Sequence, residues 1–277
     1  MLTQQEIDTF HSQGYLLIRD FLSEAQVDQC RQQAMSILQT QRPEESSIFS
    51  TVDQTKTSDD YFLDSGDKIR CFFEEGASQE DDLTKSINKI GHAIHDLDPI
   101  FRSVSYSEQL HTIAQQIDLA EPMIVQSQVI FKQPRIGGKV MPHQDSTFLF
   151  TNPQSCTGFW MALEDATANN GCLMGMPGTH KEGMADYRFV RKADGSSVTF
   201  EGTPPSWDVS EMVTLEAKKG DLIILHGAFV HMSHENKSSD SRWAYILHMI
   251  DGQYEWDKRD WLQRPDQMPF HKMADLL

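Results

Sequence analysis

Positive charge is scarce in this chain: 24 Lys and Arg stand against 41 Asp and Glu, a formal net charge of −17. Holding nucleic acid or an anionic lipid surface takes clustered cations, so neither is expected as a partner and a small molecule is. Long apolar runs are missing as well. The longest, near Leu222 to Met232, is interrupted by His226 and His231 and falls well short of the roughly 20 residues that span a bilayer. The opening residues, MLTQQEIDTF, lack the basic and apolar pattern of a signal peptide, so a cytoplasmic protein is expected. Cysteine is sparse: Cys30, Cys71, Cys156 and Cys172 are scattered, with no Cys-x-x-Cys pair. A disulfide framework or a structural zinc site would want closer, paired spacings, so buried apolar packing is the expected role of the four thiols. No repeat, low-complexity tract or Pro/Gly/Ser linker divides the sequence. One domain over residues 1–277 is expected.

What is present has two textures. The first 120 residues read as mainly helical support. Thr3-x-x-Glu6 and Ser23-x-x-Gln26 have the form of capping boxes, in which side chains satisfy the first free backbone N–H groups of a helix. After the second box Val27, Cys30, Ala34, Met35 and Leu38 recur at helical spacing, and Ile87, Ile90, Ala93, Ile94 and Leu97 trace another helical face. Ser107 can cap a helix running to about Ile117. Tyr15 to Ile18 reads as a short strand. From residue 121 the pattern turns to short extended runs: Met123 to Lys132, Gly158 to Leu163, Cys172 to Met176, Met212 to Glu216, Leu222 to Leu225 and Trp243 to Ile250. Gly137-Gly138, Asn170-Gly171, Pro177-Gly178 and Lys219-Gly220 punctuate them. A mostly β fold follows, an antiparallel sandwich or jelly roll with helices packed on one sheet. Residues 181–210 read as a long charged excursion, with lid-like length.

Eleven histidines exceed what such a core needs. His143-x-Asp145 puts an imidazole and a carboxylate on one side of an extended segment. His231, following the strand from Leu222, offers a third ligand. Two histidines and a carboxylate make the facial triad of non-haem Fe(II), and zinc competes for the same set. Arg242 opens the next strand, where a guanidinium suits bidentate capture of a ligand carboxylate. His248 shares its strand face with Arg242. Six residues of strand span roughly 20 Å, so His248 is expected to be structural rather than a partner of Arg242 on one metal. In the strand from Met123, Gln126, Gln128 and Lys132 share a face that can wall a polar pocket. His226 is the alternative to His231, and His92, His95 and His111 are expected as packing or surface residues.

Pro142-His-Gln-Asp145, Pro177-Gly-Thr-His180 and the run from His231 through Ser233 and Asn236 to Arg242 resemble the phytanoyl-CoA dioxygenase family. DYFLDSGDKIRCFFEEG (60–76), KSINKIGHAIHDLDPIF (85–101), VQSQVIFKQP (125–134) and Glu164-Asp165 with Thr167 resemble one subgroup of it. The resemblance spans nearly the whole chain, with departures around 41–57 and 181–210. It implies a double-stranded β-helix, cupin-like, with Fe(II), 2-oxoglutarate and O2 as cofactor and co-substrates. His143, Asp145 and His231 match its iron ligands; Arg242, helped by Ser233, matches the clamp on the distal carboxylate of 2-oxoglutarate. Lys89, Gln128 and Trp160 fall where the subgroup touches the co-substrate, with Gln128 in place of an expected methionine. Asp145 points to hydroxylation, because halogenating relatives lack this carboxylate. Two other readings use the same triad: a metal-binding jelly roll that senses or binds without turnover, and a zinc hydrolase. Neither explains a carboxylate clamp at Arg242.

Overall fold

The computed structural model describes residues 1–40, 47–50, 59–74, 83–195 and 197–277. Of the expected loop departure at 41–57, only 47–50 lies among them, as do all but the last two residues of the 60–76 motif. The helices are α1 (Gln4–Gln13), α2 (Glu24–Thr40), α3 (Asp60–Leu63), α4 (Leu83–Ser86), α5 (Ile94–Leu97), α6 (Pro99–Ser105) and α7 (Glu108–Gln116). The first six strands are β1 (Tyr15–Ile18), β2 (Ile48–Phe49), β3 (Ile69–Glu74), β4 (Ile87–His92), β5 (Pro122–Lys132) and β6 (Val140–His143). After them come β7 (Thr151–Asn152), β8 (Thr157–Ala162), β9 (Leu173–Gly175), β10 (Tyr187–Arg191) and β11 (Val198–Gly202). The last are β12 (Val213–Leu215), β13 (Leu222–His226), β14 (His231–Ser233), β15 (Arg242–Asp251) and β16 (Glu255–Trp256).

Both capping boxes form. Thr3 Oγ accepts from the Glu6 N–H while the Glu6 carboxylate accepts from the Thr3 N–H, and Ser23 and Gln26 do the same. Ser107 caps α7 through the Leu110 N–H. The expected helix over 87–97 is instead β4 followed by the single turn α5. β4 is hydrogen-bonded to β3 on one side and β5 on the other, and all six of its residues are buried. Burial on both faces erases the alternation that marks a half-exposed strand, and the isoleucines alone mimic a helical face. With β1 to β3, this makes the N-terminal part more extended than its sequence suggests.

Two sheets face one another. The larger runs β1-β13-β8-β15-β5-β4-β3-β2 and the smaller β12-β9-β14-β6; the ladders are antiparallel except β2 on β3. This is the jelly roll with a helical layer that the strand pattern implied. Successive residues of each central strand point to opposite faces, and here both are covered. Phe159, Met161, Ile224, Tyr245, Leu247, Val129 and Phe131 pack against Phe10, Val27, Cys30, Ala34, Leu110 and Ile113 of the helices. Their neighbours Trp160, Ala162, Ile223, Leu225, Ala244 and Ile246 pack inward with Leu173, Leu215 and Phe229. All four cysteines are buried and unpaired, and burial pushes the Cys30 and Cys71 thiols up to about 12. No helix among the described residues is long and apolar enough to cross a membrane.

The excursion at 181–210 contains the hairpin β10–β11, tied to the body by its basic residues. Arg188 bonds Asp257 and Asp260 at 2.8 and 3.1 Å, and Arg191 donates to the carbonyls of Trp261 and Leu63. Both guanidinium groups are thereby tied into the fold.

Gly175 of β9 tests how tightly the sheets close, since a Cβ there would lie 2.2 Å from the Phe229 ring, itself fully buried. Overpacking of that kind costs about 1–3 kcal/mol. Gly175→Ala should lower the urea midpoint of the protein at an unchanged m-value; an unaltered midpoint would mean the ring moves aside freely.

Candidate metal centre and its two cavities

β14 lies between β9 and β6, with His231 directly opposite His143 in the ladder. Asp145 follows β6 at the start of a 3-10 turn, Asp145–Thr147. These short strands were not marked as runs in the sequence, yet they carry both histidines. Among the described residues, His143, Asp145 and His231 form the one group of three whose ligand atoms all lie within 4.8 Å of one another. Asp145 Oδ1 is 3.6 Å from His143 Nε2 and 3.7 Å from His231 Nε2. The far ring nitrogens are tied back: His143 Nδ1 to the Met141 carbonyl at 2.8 Å, His231 Nδ1 to the Phe229 carbonyl at 3.1 Å. Donating Nδ1–H to a carbonyl leaves Nε2 as a lone-pair donor aimed at the centre, the usual way a protein sets an imidazole for a metal. The donor set fits a divalent metal with open positions.

Burial holds the His231 pKa down to about 4, assisted by His143. Burial would raise the Asp145 carboxyl, but His231 and His248, then hydrogen bonding from His143 and His248, reverse this and hold it well below the usual carboxylate range. Both groups therefore sit in the unprotonated forms that metal binding needs.

The group stands where two cavities meet. The smaller, about 90 Å³, is lined by all three residues together with Trp160, Ser233, Arg242 and His248. Arg242 is 2 % exposed, and its Nε has no hydrogen-bond partner among the described residues. Its guanidinium carbon lies 5.4 Å from the Trp160 ring centre. Burial lowers its pKa only to about 10, so it stays a cation. Lys132, from the inward face of β5, donates to Ser233 Oγ at 2.8 Å and to the carbonyls of Gly138 and His234.

The larger cavity, about 140 Å³, shares Gln128, His143, Asp145 and His248 with the smaller and adds Phe49, Phe62, Phe148, Trp261 and Lys89. Lys89 is on β4, not on a helix. Its Nζ lies 3.4 Å from the centre of the Phe49 ring, and burial holds its pKa well below the usual lysine value. The sequence-expected residues thus divide: Trp160, Ser233 and Arg242 line the small cavity, Lys89 the large one, Gln128 both.

His226 stays outside the group. It accepts from the Ala228 N–H through Nδ1 and packs beside His180, ring centres 5.1 Å apart. His248, six residues along β15 from Arg242, does approach the triad, with Nε2 3.5 Å from Asp145 Oδ2. The expectation that strand length leaves His248 purely structural is corrected here: Asp145 comes to meet it from the turn after β6, and His248 and Arg242 line one cavity. The shared inward face of Arg242 and His248 was the available signal.

The chain matches the profile of the phytanoyl-CoA dioxygenase (PhyH) family over residues 10–244. It is 46 % identical over 269 residues to the "Phytanoyl-CoA dioxygenase" of Arabidopsis thaliana, covering 95 % of this chain and 94 % of that one. It is 39 % identical to "Phytanoyl-CoA dioxygenase domain-containing protein 1" of Rattus norvegicus, covering 97 % of each. In fold it is similar to the non-heme alpha ketoglutarate dependent carbocyclase SnoK, with TM-score 0.65, 18 % identity and coverage of 97 % of this chain and 96 % of that one. It is also similar to EctD from S. alaskensis, solved with 2-oxoglutarate and 5-hydroxyectoine, with TM-score 0.67, 18 % identity and coverage of 95 % and 84 %.

His226 and His231 are both held by burial to pKa values of about 4, against about 6.5 for histidine in an unfolded chain. Between those values the unfolded chain binds more protons, so stability is complete above about pH 6.5 and falls toward pH 4. Thermal unfolding of the metal-free protein should show that decline, and His226→Gln should flatten it. An unchanged slope would mean His226 is not desolvated in the native state.

Proposed function

This chain belongs to the phytanoyl-CoA dioxygenase family, and from that premise we propose an Fe(II)- and 2-oxoglutarate-dependent dioxygenase that hydroxylates a C–H bond of a small organic substrate. The whole chain acts as one such domain. When bound, iron with 2-oxoglutarate and O2 supplies the oxidising chemistry, turning C–H into C–OH while 2-oxoglutarate becomes succinate and CO2. His143 and His231 hold the metal through Nε2 and Asp145 through Oδ1. Arg242 and Ser233 hold the distal carboxylate of 2-oxoglutarate in the small cavity, against the Trp160 ring. Gln128 and Lys89 contact the co-substrate from the side of the large cavity. The aromatic walls of that cavity, Phe49, Phe62, Phe148 and Trp261, exclude water and take the substrate.

The observation that carries this reading is Arg242: a buried cation whose Nε is unpaired, in the same cavity as the three ligand residues. A buried donor of a cationic group left unsatisfied is expensive, and a dicarboxylate anchored at the metal supplies an acceptor. A hydrolase or a purely structural metal would have no use for it. The CoA group of the family name is not carried over to the substrate: the chain has a net charge of −17, and Arg188 and Arg191, two of the three cations at 188–192, are engaged within the fold.

Anaerobic titration of the Fe(II)-loaded protein with 2-oxoglutarate should raise a visible charge-transfer band, and admitting air should yield succinate slowly without any added substrate. His143→Ala should abolish the band. Arg242→Ala should weaken 2-oxoglutarate about 10- to 100-fold, the worth of a charged hydrogen bond or two, with little change in iron affinity. Equal loss of both would count against the clamp. Iron binding with neither band nor succinate would leave a non-catalytic binding module.

A further inference from the structure

We propose that His248 is a positioning residue for Asp145: it holds the second carboxylate oxygen so that this ligand meets the metal through Oδ1 alone. The proposal rests on the reading above, in which Asp145 binds iron. The two oxygens of Asp145 face different groups. Oδ1 lies toward His143 and His231, whereas Oδ2 lies 3.5 Å from His248 Nε2. His248 is outside the group of three mutually close ligand atoms, so it stands behind the carboxylate rather than beside a metal. Both side chains are buried, at 8 % and 9 % exposure.

The sheet is shaped around this pair. The register of β15 on β5 slips just after His248: His248 faces Gln126, Met249 faces Ile124, and Val125 is the extra residue. Such a bulge re-aims the side chains beside it. On the other flank, His248 faces Gly158 of β8. A Cβ on Gly158 would stand 2.9 Å from Asp145 Oδ2 and 3.8 Å from His248 Cδ2, so the glycine leaves the space that the carboxylate oxygen occupies. His248 Nδ1 is buried with no partner among the described residues, and the contact to Asp145 is made by Nε2. A carboxylate with both oxygens free can chelate. With a donor on Oδ2 it stays monodentate, and a coordination position is kept for the co-substrate and O2. Partners of this kind around metal ligands are worth about 10- to 100-fold in metal affinity.

The test uses the full chain, with Co(II) as a spectroscopic stand-in for Fe(II). His248→Leu should raise the Co(II) dissociation constant about tenfold or more and change the shape of the d–d bands. His248→Gln, whose amide can donate from a similar place, should recover most of both. Co(II) binding in His248→Leu as tight as in the wild type, with the same bands, would overturn the proposal. So would a Gln variant no better than the Leu variant. The unmodified protein gives a second reading that needs no variant to fold: ring ¹⁵N shifts of the Zn(II)-loaded form should report His248 protonated at Nε2, and a proton on Nδ1 instead would refute the role. Failure of the wild type to bind Co(II) or Fe(II) at all would sink the dioxygenase reading itself, a separate outcome.

Discussion

A carboxylate enclosed between two sheets survives as an anion only if polar or positive groups surround it, because desolvation otherwise costs several kcal/mol. Asp145 has His248 Nε2 at 3.5 Å on Oδ2, while Oδ1 lies 3.6 and 3.7 Å from the Nε2 atoms of His143 and His231, where a bound divalent cation would supply the positive charge. Much of the local architecture follows from this requirement. β6 and β14 pair so that His143 and His231 are opposite one another, and backbone carbonyls turn both rings the same way. Gly158 leaves room on β8, and the bulge on β5 sits where His248 must point inward.

The second constraint is that the large sheet is covered on both faces. Its outer residues pack under the helices, so any polar residue on its inner face has to line a cavity or find a partner. Gln126, Gln128 and Lys132 of β5 and Arg242 and His248 of β15 are such residues. Lys132 is satisfied within the chain, bonded to Ser233 Oγ and two carbonyls. With Oγ accepting from Lys132, the hydroxyl proton of Ser233 is free to point elsewhere. Arg242 is left with an unpaired Nε. The inner face of the large sheet thus carries one amine bonded within the chain, Lys132, and one guanidinium, Arg242, that lines the small cavity.

Legibility varied with how local the cause was. The cap of α1 and the strands β5, β8, β9, β12, β13 and β15 could be read because a capping box or a run of β-branched and aromatic residues acts within a few positions. β4 could not: buried between β3 and β5, its isoleucines keep no alternation, so the stretch carrying Lys89 reads as a helical face. β6 and β14 are too short to show any period, so the ladder joining His143 to His231 left no trace in the sequence pattern. For His248, a distance along one strand says nothing of what another segment brings alongside.

The order of residues by itself determined the chemistry on offer: His143-x-Asp145, a later histidine and an arginine eleven positions beyond, in an acidic chain without a cluster of free cations. It also determined the class of fold, since hydrophobic runs of strand length separated by glycine turns can be buried in few other ways. Tertiary structure alone decided which histidines converge, that Lys89 faces the aromatic cavity while Arg242 faces the small one, and that Asp145 has a third imidazole behind it. Those outcomes depend on strand register and on the approach of segments over a hundred residues apart in Asp145 and His248, and no local pattern encodes a distance of that kind.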